Sequence, residues 1–97
     1  MNSIVIRIDS EDCNLVERLF FEHAAMKDCV AFLMKDKDVN QELLDGYVRN
    51  VASLYYELEK SKRLISKKYE PFEIKGKPYN YSFDFEEETI TYVKKAD

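Results

Sequence analysis

The run EDCNLVERLFFEHAAMKDCVAFLMKDKDVNQELLDGYVRNVASLYYELEKSKRLISKKY, Glu11–Tyr69, decides the fold. It carries two apolar stripes at heptad-like spacing, broken at Asp36-Lys37-Asp38. The first runs Val16, Leu19, His23, Met26, Val30, Leu33; the second runs Leu44, Tyr47, Val51, Leu54, Leu58, Ser61, Ile65. Alternating steps of three and four put each set on one side of an α-helix. Two such helices joined by a short polar break predict an antiparallel helical hairpin, over about 11–35 and 39–69.

The first helix is apolar on two sides. Leu15, Val16, Leu19, Phe20, Met26, Val30, Leu33 and Met34 cover one arc, while Phe21, Ala25, Cys29 and Phe32 lie nearly opposite. At 100° per residue Phe32 stands about 160° from Val16. The second helix can cover only one of those sides. The other needs the β elements or another molecule.

Working outward, Ile4, Ile6 and Ile8 alternate with Val5 and Arg7, the pattern of a short strand. Asp9-Ser10 offers a cap to the first helix, with Glu11 and Asp12 in its first turn. Asp38 or Asn40 caps the second, with Gln41 as capping-box partner, and Pro71 stops it. Asp45–Arg49 and Glu59–Arg63 are spaced as ion pairs on its solvated face. A second helix of roughly 30 residues would be about 45 Å long, more than a compact domain of this size spans. The molecule should therefore be elongated, or the free end should dock on a partner.

After Pro71 the period becomes two. Tyr79, Tyr81, Phe83 and Phe85 alternate with polar residues, and Thr89-Ile90-Thr91-Tyr92-Val93 follows. These predict a β-hairpin turning near Glu86-Glu87-Glu88, and Phe72-Glu73-Ile74 a further short strand. No glycine sits in that turn, which argues against a tight primed type. The expected fold is α+β, in the order β-α-α-β-β. The long antiparallel hairpin packs on a small, mostly antiparallel sheet, laid on the second apolar side of the first helix. The last strand is a candidate edge, with Lys94-Lys95 as edge protection.

The chain has 97 residues, which predicts a single domain, 1–97. An apolar fraction of 45% with 35% charged residues suits a globular chain rather than a disordered one. No stretch approaches the ~18 apolar residues of a membrane span, and the first residues lack the pattern of a signal peptide. The expected location is the cytoplasm, or a virion or other intracellular assembly. The net charge of −4 argues against nucleic acid. The basic run Lys60, Lys62, Arg63, Lys67, Lys68 suits a helix C-terminus. Cys13 and Cys29 stand about 24 Å apart along one helix, out of disulfide reach, and are expected to be reduced and mostly buried.

No catalytic set can be assembled. His23 is the sole histidine, and its plain reading is an interior or boundary imidazole hydrogen-bonded to a side chain of the second helix. No Glu-x-x-His pair, Gly-x-Ser-x-Gly or phosphate loop is present. Two cysteines and one histidine fall short of four zinc ligands, and Glu86-Glu87-Glu88 lacks the spacing of a calcium loop. The expectations are no enzyme, no catalytic or metal site, no cofactor, no membrane and no small-molecule substrate. Tyr47, Tyr55 and Tyr69 fall in or beside the stripe and are expected in the core. Candidate interaction residues are Phe21, Phe32, Tyr56 and Leu64, with the aromatic strand face Tyr79, Tyr81, Phe83 and Phe85. The partner would be a protein or a second copy.

Leu15-Val16-Glu17-Arg18-Leu19 and Tyr55-Tyr56-Glu57-Leu58-Glu59-Lys60 resemble stretches of small uncharacterised helical-hairpin proteins of Gram-positive bacteria and their phages. The resemblance covers about residues 15–70 and contains no catalytic motif. It implies a mobile-element or virion context, and a structural or accessory protein there. Taken with the apolar surfaces, the leading expectation is a non-catalytic interaction or assembly module. The alternative is a small inhibitor or antitoxin-like regulator that masks a partner through Asp84–Glu88.

Overall fold

The computed structural model describes residues 3–95. Strand β1 is Ser3–Arg7, helix α1 Ser10–Leu33, helix α2 Gln41–Lys68, strand β2 Tyr79–Asp84 and strand β3 Thr89–Lys94. The order β-α-α-β-β and the α+β class are as expected. The helices form the antiparallel hairpin, and the three strands form a wholly antiparallel sheet in the order β1-β3-β2.

Local chemistry sets the ends of the helices. Asn40 caps α2 through its side chain, which accepts the Leu43 amide at 3.1 Å. Gln41 does not complete a capping box; its amide donates to Asp45 at 2.9 Å. Helix α1 stops at Leu33, slightly before the expected Lys35, because Asp36 takes the Asp38 amide at 2.9 Å and turns the chain. Lys67 and Lys68 occupy the last turn of α2, where cations complement the helix dipole.

The sheet departs from expectation in three ways. Phe72–Ile74 is a 3-10 turn and not a strand. β3 is the central strand, so the edges are β1 and β2, and Lys94-Lys95 protects neither. The sheet also does not lie on the second apolar side of α1. It covers the open end of the hairpin, where the α1 N-terminal half meets the α2 C-terminal half. There the core is Ile8, Cys13, Val16, Leu19, Leu58, Ile65, Ile74, Ile90 and Tyr92. Residues 10–19 and 58–69 with this sheet are called the base below, and residues 20–57 the arm.

Lengths explain the arrangement. Strands of five or six residues reach about 17–20 Å. Helix α2, with 28 residues, runs about 42 Å. No such sheet can follow the hairpin to its tip. The molecule is accordingly elongated, 55 × 31 × 20 Å, with a radius of gyration of 17.1 Å. A compact chain of this length would have about 12.5 Å.

The β2–β3 connection is a four-residue turn, 85–88. Asp84 accepts the Glu87 amide at 3.0 Å, and Glu88 takes a left-handed conformation at φ 55°. The absence of glycine is thus met by strain at one residue. The Glu88 carbonyl accepts from the Ile8 amide at 3.0 Å, which stitches the end of β1 to the turn.

Candidate interaction surface

Three tyrosines lock the base. Tyr92 is fully buried and donates to the Ser66 carbonyl at 2.7 Å. Tyr69 donates to Asp12 at 2.7 Å and accepts the Asp9 amide at 3.0 Å, while Lys68 donates to the same Asp12 oxygen at 2.8 Å. Tyr79 donates to Glu70 at 2.6 Å, joined there by Lys67 at 3.3 Å. Lys68 and then Tyr69 hold the Asp12 carboxyl below its usual 3.8. Tyr79 and then Lys67 lower that of Glu70. Burial, followed by the Glu70 carboxylate, pushes the Tyr79 phenol up to about 12. Burial likewise raises the Cys13 thiol, with the Glu88 carboxylate adding to it. Among the described residues no buried side-chain polar atom lacks a partner.

Much of the basic run is therefore engaged. Lys68 is held by Asp12, Lys67 by Glu70 and Lys62 by Glu59 at 3.2 Å, while Lys60 sits 5.9 Å over the Tyr56 ring. The Asp45–Arg49 and Glu59–Arg63 pairs do not form, because Gln41 and Lys62 take those carboxylates.

The arm is built differently. Leu44 is its one buried hydrophobic residue. His23, half-buried, meets the Tyr55 ring at 5.5 Å rather than a hydrogen-bonding side chain of α2. Tyr55 itself is exposed and not in the core, and Tyr47 is half-buried. Cys29 is exposed, contrary to expectation, and Cys13 is buried; both are free.

The expected interaction residues fall into three places. Phe21 and Phe32 project from the outer side of α1, away from α2, 59% and 74% exposed. Ala25 and Cys29 lie exposed between them. Tyr56 and Leu64 project from the outer side of α2, also exposed. Tyr79, Tyr81, Phe83 and Phe85 turn inward, half-buried against the core. Their rings form a ladder at 6.3, 6.1 and 6.5 Å. The ladder continues through Phe20, 5.8 Å from Phe85, to Phe21, 5.4 Å from Phe20. Phe20 thus links the strand set to Phe21 on the outer row of α1. Beside it, a cleft of about 300 Å³ opens between β2 and the hairpin, lined by Val16, Phe20, Leu58, Lys62, Tyr81 and Phe83.

Sequence reasoning missed other exposed apolar residues. Phe72 is the barest, 88% exposed in the 3-10 turn, and the segment is too short for any period to have flagged it. Val48 and Leu43 on the arm are bare for lack of a third layer. Their flanking positions on α2 gave a usable signal, since they sit beside the main stripe.

Among the described residues no group of three or more potential ligands is placed to hold a metal ion. None of the described helices is long and apolar enough to cross a membrane. No protein-family model matches the sequence, and neither a curated protein nor a solved structure matches it.

Proposed function

We propose that this chain is a non-catalytic interaction or assembly module that works by burying its arm against another polypeptide. One observation carries the reading. The accessible surface is 7223 Å², whereas a compact monomer of 11.5 kDa exposes about 5,800 Å². The excess, about 1,400 Å², goes with the elongated shape, and apolar side chains stand exposed along the arm. An excess of that size exceeds the roughly 800 Å² that each partner gives to a standard interface. The reading assigns no catalytic residue and no cofactor. The partner is a protein rather than nucleic acid, lipid or a small substrate. The resemblance noted in the sequence directs the search for it to mobile-element and virion assemblies.

Sedimentation equilibrium and native mass spectrometry over a wide concentration range test the reading, together with co-purification from the native host. A defined oligomer or a stoichiometric complex is expected. A chain that stays monomeric throughout and joins no complex in its host contradicts the proposal.

A further inference from the structure

Deepening the assembly reading, on which it rests, we propose that the free edge of β2 receives an extended segment of another protein as a fourth strand, laid over the start of the arm. The hydrogen-bond pattern leaves that edge open. The Lys95 amide donates to the Pro78 carbonyl at 3.1 Å, one step beyond the paired Tyr79 and Lys94. Bonded pairs in an antiparallel ladder recur at every second residue. Asn80, Ser82 and Asp84 therefore turn their backbone groups to β3, while Tyr79, Tyr81 and Phe83 turn theirs away from it. The Ile8 amide on the Glu88 carbonyl puts β1 in the opposite phase on β3, so the two ladders agree. Among the described residues no strand takes the outward amides and carbonyls of Tyr79, Tyr81 and Phe83. A row of such groups at strand spacing is met by another strand.

The edge faces the arm. Strand β2 begins beside the end of α2, where the Tyr79 hydroxyl meets Glu70, and runs across to α1, where Phe85 meets Phe20. β1 lies on the far side of β3. The next strand position, about 4.8 Å beyond β2, therefore lies past the cleft of about 300 Å³, over the first turns of the arm. Phe20 and Tyr55 stand there, 46% and 52% exposed. Tyr55 is two turns from Lys62, on the cleft side of α2. Side chains opposite Tyr81 and Phe83 in the added strand point to the same face as theirs, toward those rings.

Charge sets the chemistry of the occupant. Lys75, Lys77, Lys94 and Lys95 gather at the start of β2; Glu73 stands beside them, and Glu70 is already taken by Tyr79 and Lys67. Asp84, Glu86, Glu87 and Glu88 gather at its end, where Glu17 joins Glu88 and Asp84 in acting on the Cys13 thiol. Arg7, the cation of the sheet at that end, is two strands away on β1. Among the described residues none of the four lysines and none of the acids from Asp84 to Glu88 is in an ion pair. An occupant that runs antiparallel, like the rest of the sheet, and complements both ends reads from its N-terminus as basic, then apolar at alternate positions, then acidic.

A folded second copy is barred from this edge. Pairing β2 with β2 about a two-fold axis puts both helical layers on one face of the joined sheet. Each arm would then run beneath the other's sheet, where the other's hairpin stands. The occupant is thus a segment extended in its own right. β1, the other edge, has no such polarity, since Arg7 is its one charge.

A synthetic peptide with the sequence of residues 75–87 carries the required chemistry: two lysines, aromatics at alternate positions, then acids. Added to the full chain, it should bind saturably. In hydrogen exchange the amides of Tyr79, Tyr81 and Phe83 should be fast in the free chain and about tenfold slower with peptide bound, while those of Asn80 and Ser82 are slow in both. Methylating the peptide's backbone nitrogens at its Tyr81 and Phe83 removes two donors and should abolish binding, a test that leaves the protein unaltered. Exchanging the charges at the peptide's two ends should weaken binding about tenfold. Tyr81→Pro in the protein, its fold checked by circular dichroism, should act as the methylation does, because proline closes an edge. No saturable binding, binding that leaves the three amides fast, or binding that survives the methylation overturns the inference. The assembly reading does not fall with it, since oligomer or native complex formation tests that separately.

Discussion

The base and the arm of this molecule are made from the same two helices, yet they are stabilised in different ways. In the base, a third layer lies over the hairpin; nine residues there form a buried core, and the aromatic ladder packs half-buried against it. Tyrosine hydroxyls there close on carboxylates and a backbone carbonyl. In the arm, the two helices have only each other, and Leu44 is the one hydrophobic side chain they bury. Two helices meeting along one stripe leave most of each cylinder in water. What separates the regions is the number of layers rather than the hydrophobicity of the sequence. The arm carries Phe21, Phe32, Val48, Tyr55 and Tyr56, all exposed.

The comparison predicts a steep gradient in the cost of mutation. Tyr92 sits at its top, with no exposed surface and a hydrogen bond to Ser66. Tyr92→Ala should cost about 3–5 kcal/mol, the range for deleting a buried aromatic ring. Tyr92→Phe keeps the ring and should cost about 1–2 kcal/mol, because the Ser66 carbonyl then loses its buried donor. Chemical denaturation measures both. A small loss for Tyr92→Ala would mean that the sheet is not the lid of the base.

Next in size is the polar clasp, which pH also probes. Asp12 and Glu70 titrate below their ordinary values in the folded chain. Folding therefore gains from them only while they are ionised. That stability is present above about pH 4–5 and is lost as the pH falls through the lowered folded values, since the unfolded chain then binds more protons. Asp12→Ala should cost about 1–2 kcal/mol at neutral pH, trimmed from the buried case because Asp12 keeps 20% of its side chain in water. Its penalty should shrink toward zero in acid. Tyr79 works from the other side: its phenol titrates near 12 when folded. Its contribution is full below pH 10 and disappears between 10 and about 12. Tyrosinate absorbance against pH should show this group titrating late, and Tyr79→Phe should lower the late amplitude by one tyrosine, leaving the share of Tyr92, whose phenol burial also raises.

Much of this design was legible in the chain. The two stripes fixed the hairpin, because a period near 3.6 over almost 60 residues admits little else. The alternation of Tyr79, Tyr81 and Phe83 fixed β2 in the same way. Where the sheet would sit was not legible. That depends on Ile90 and Tyr92 reaching Val16, Leu58 and Ile65, contacts between segments far apart in sequence. The inversion of strand order, with β3 central, comes from β1 pairing across the whole chain, again a long-range choice. Phe21, Ala25, Cys29 and Phe32 form a face in need of cover, and they lie exposed in the single chain. Exposure follows from the short strands; what covers the row is a property of a second molecule and so cannot be read from intrachain patterns.

Smaller effects belong to the arm. Asn40 supplies its only side-chain helix cap, to the Leu43 amide. Asn40→Ala should cost about 1 kcal/mol. The loss should be local: hydrogen exchange should quicken for amides near the start of α2 while those of β3 hold their protection. If β3 and the start of α2 quicken together, arm and base unfold as one unit and the contrast between them is wrong.

The smallest expected effect is the most telling. Phe32→Ser changes a side chain that is 74% exposed and in no aromatic contact. Measured at a dilution where the chain is monomeric, it should move stability by no more than about 0.5 kcal/mol, as surface substitutions do. Repeated in the complex that the arm forms, the same substitution should become costly, since stability is then linked to association through mass action. The difference between the two measurements isolates what the partner contributes at Phe32. A loss of about 2 kcal/mol already present in the monomer would place Phe32 under cover within its own chain, and the arm would then be packed rather than bare.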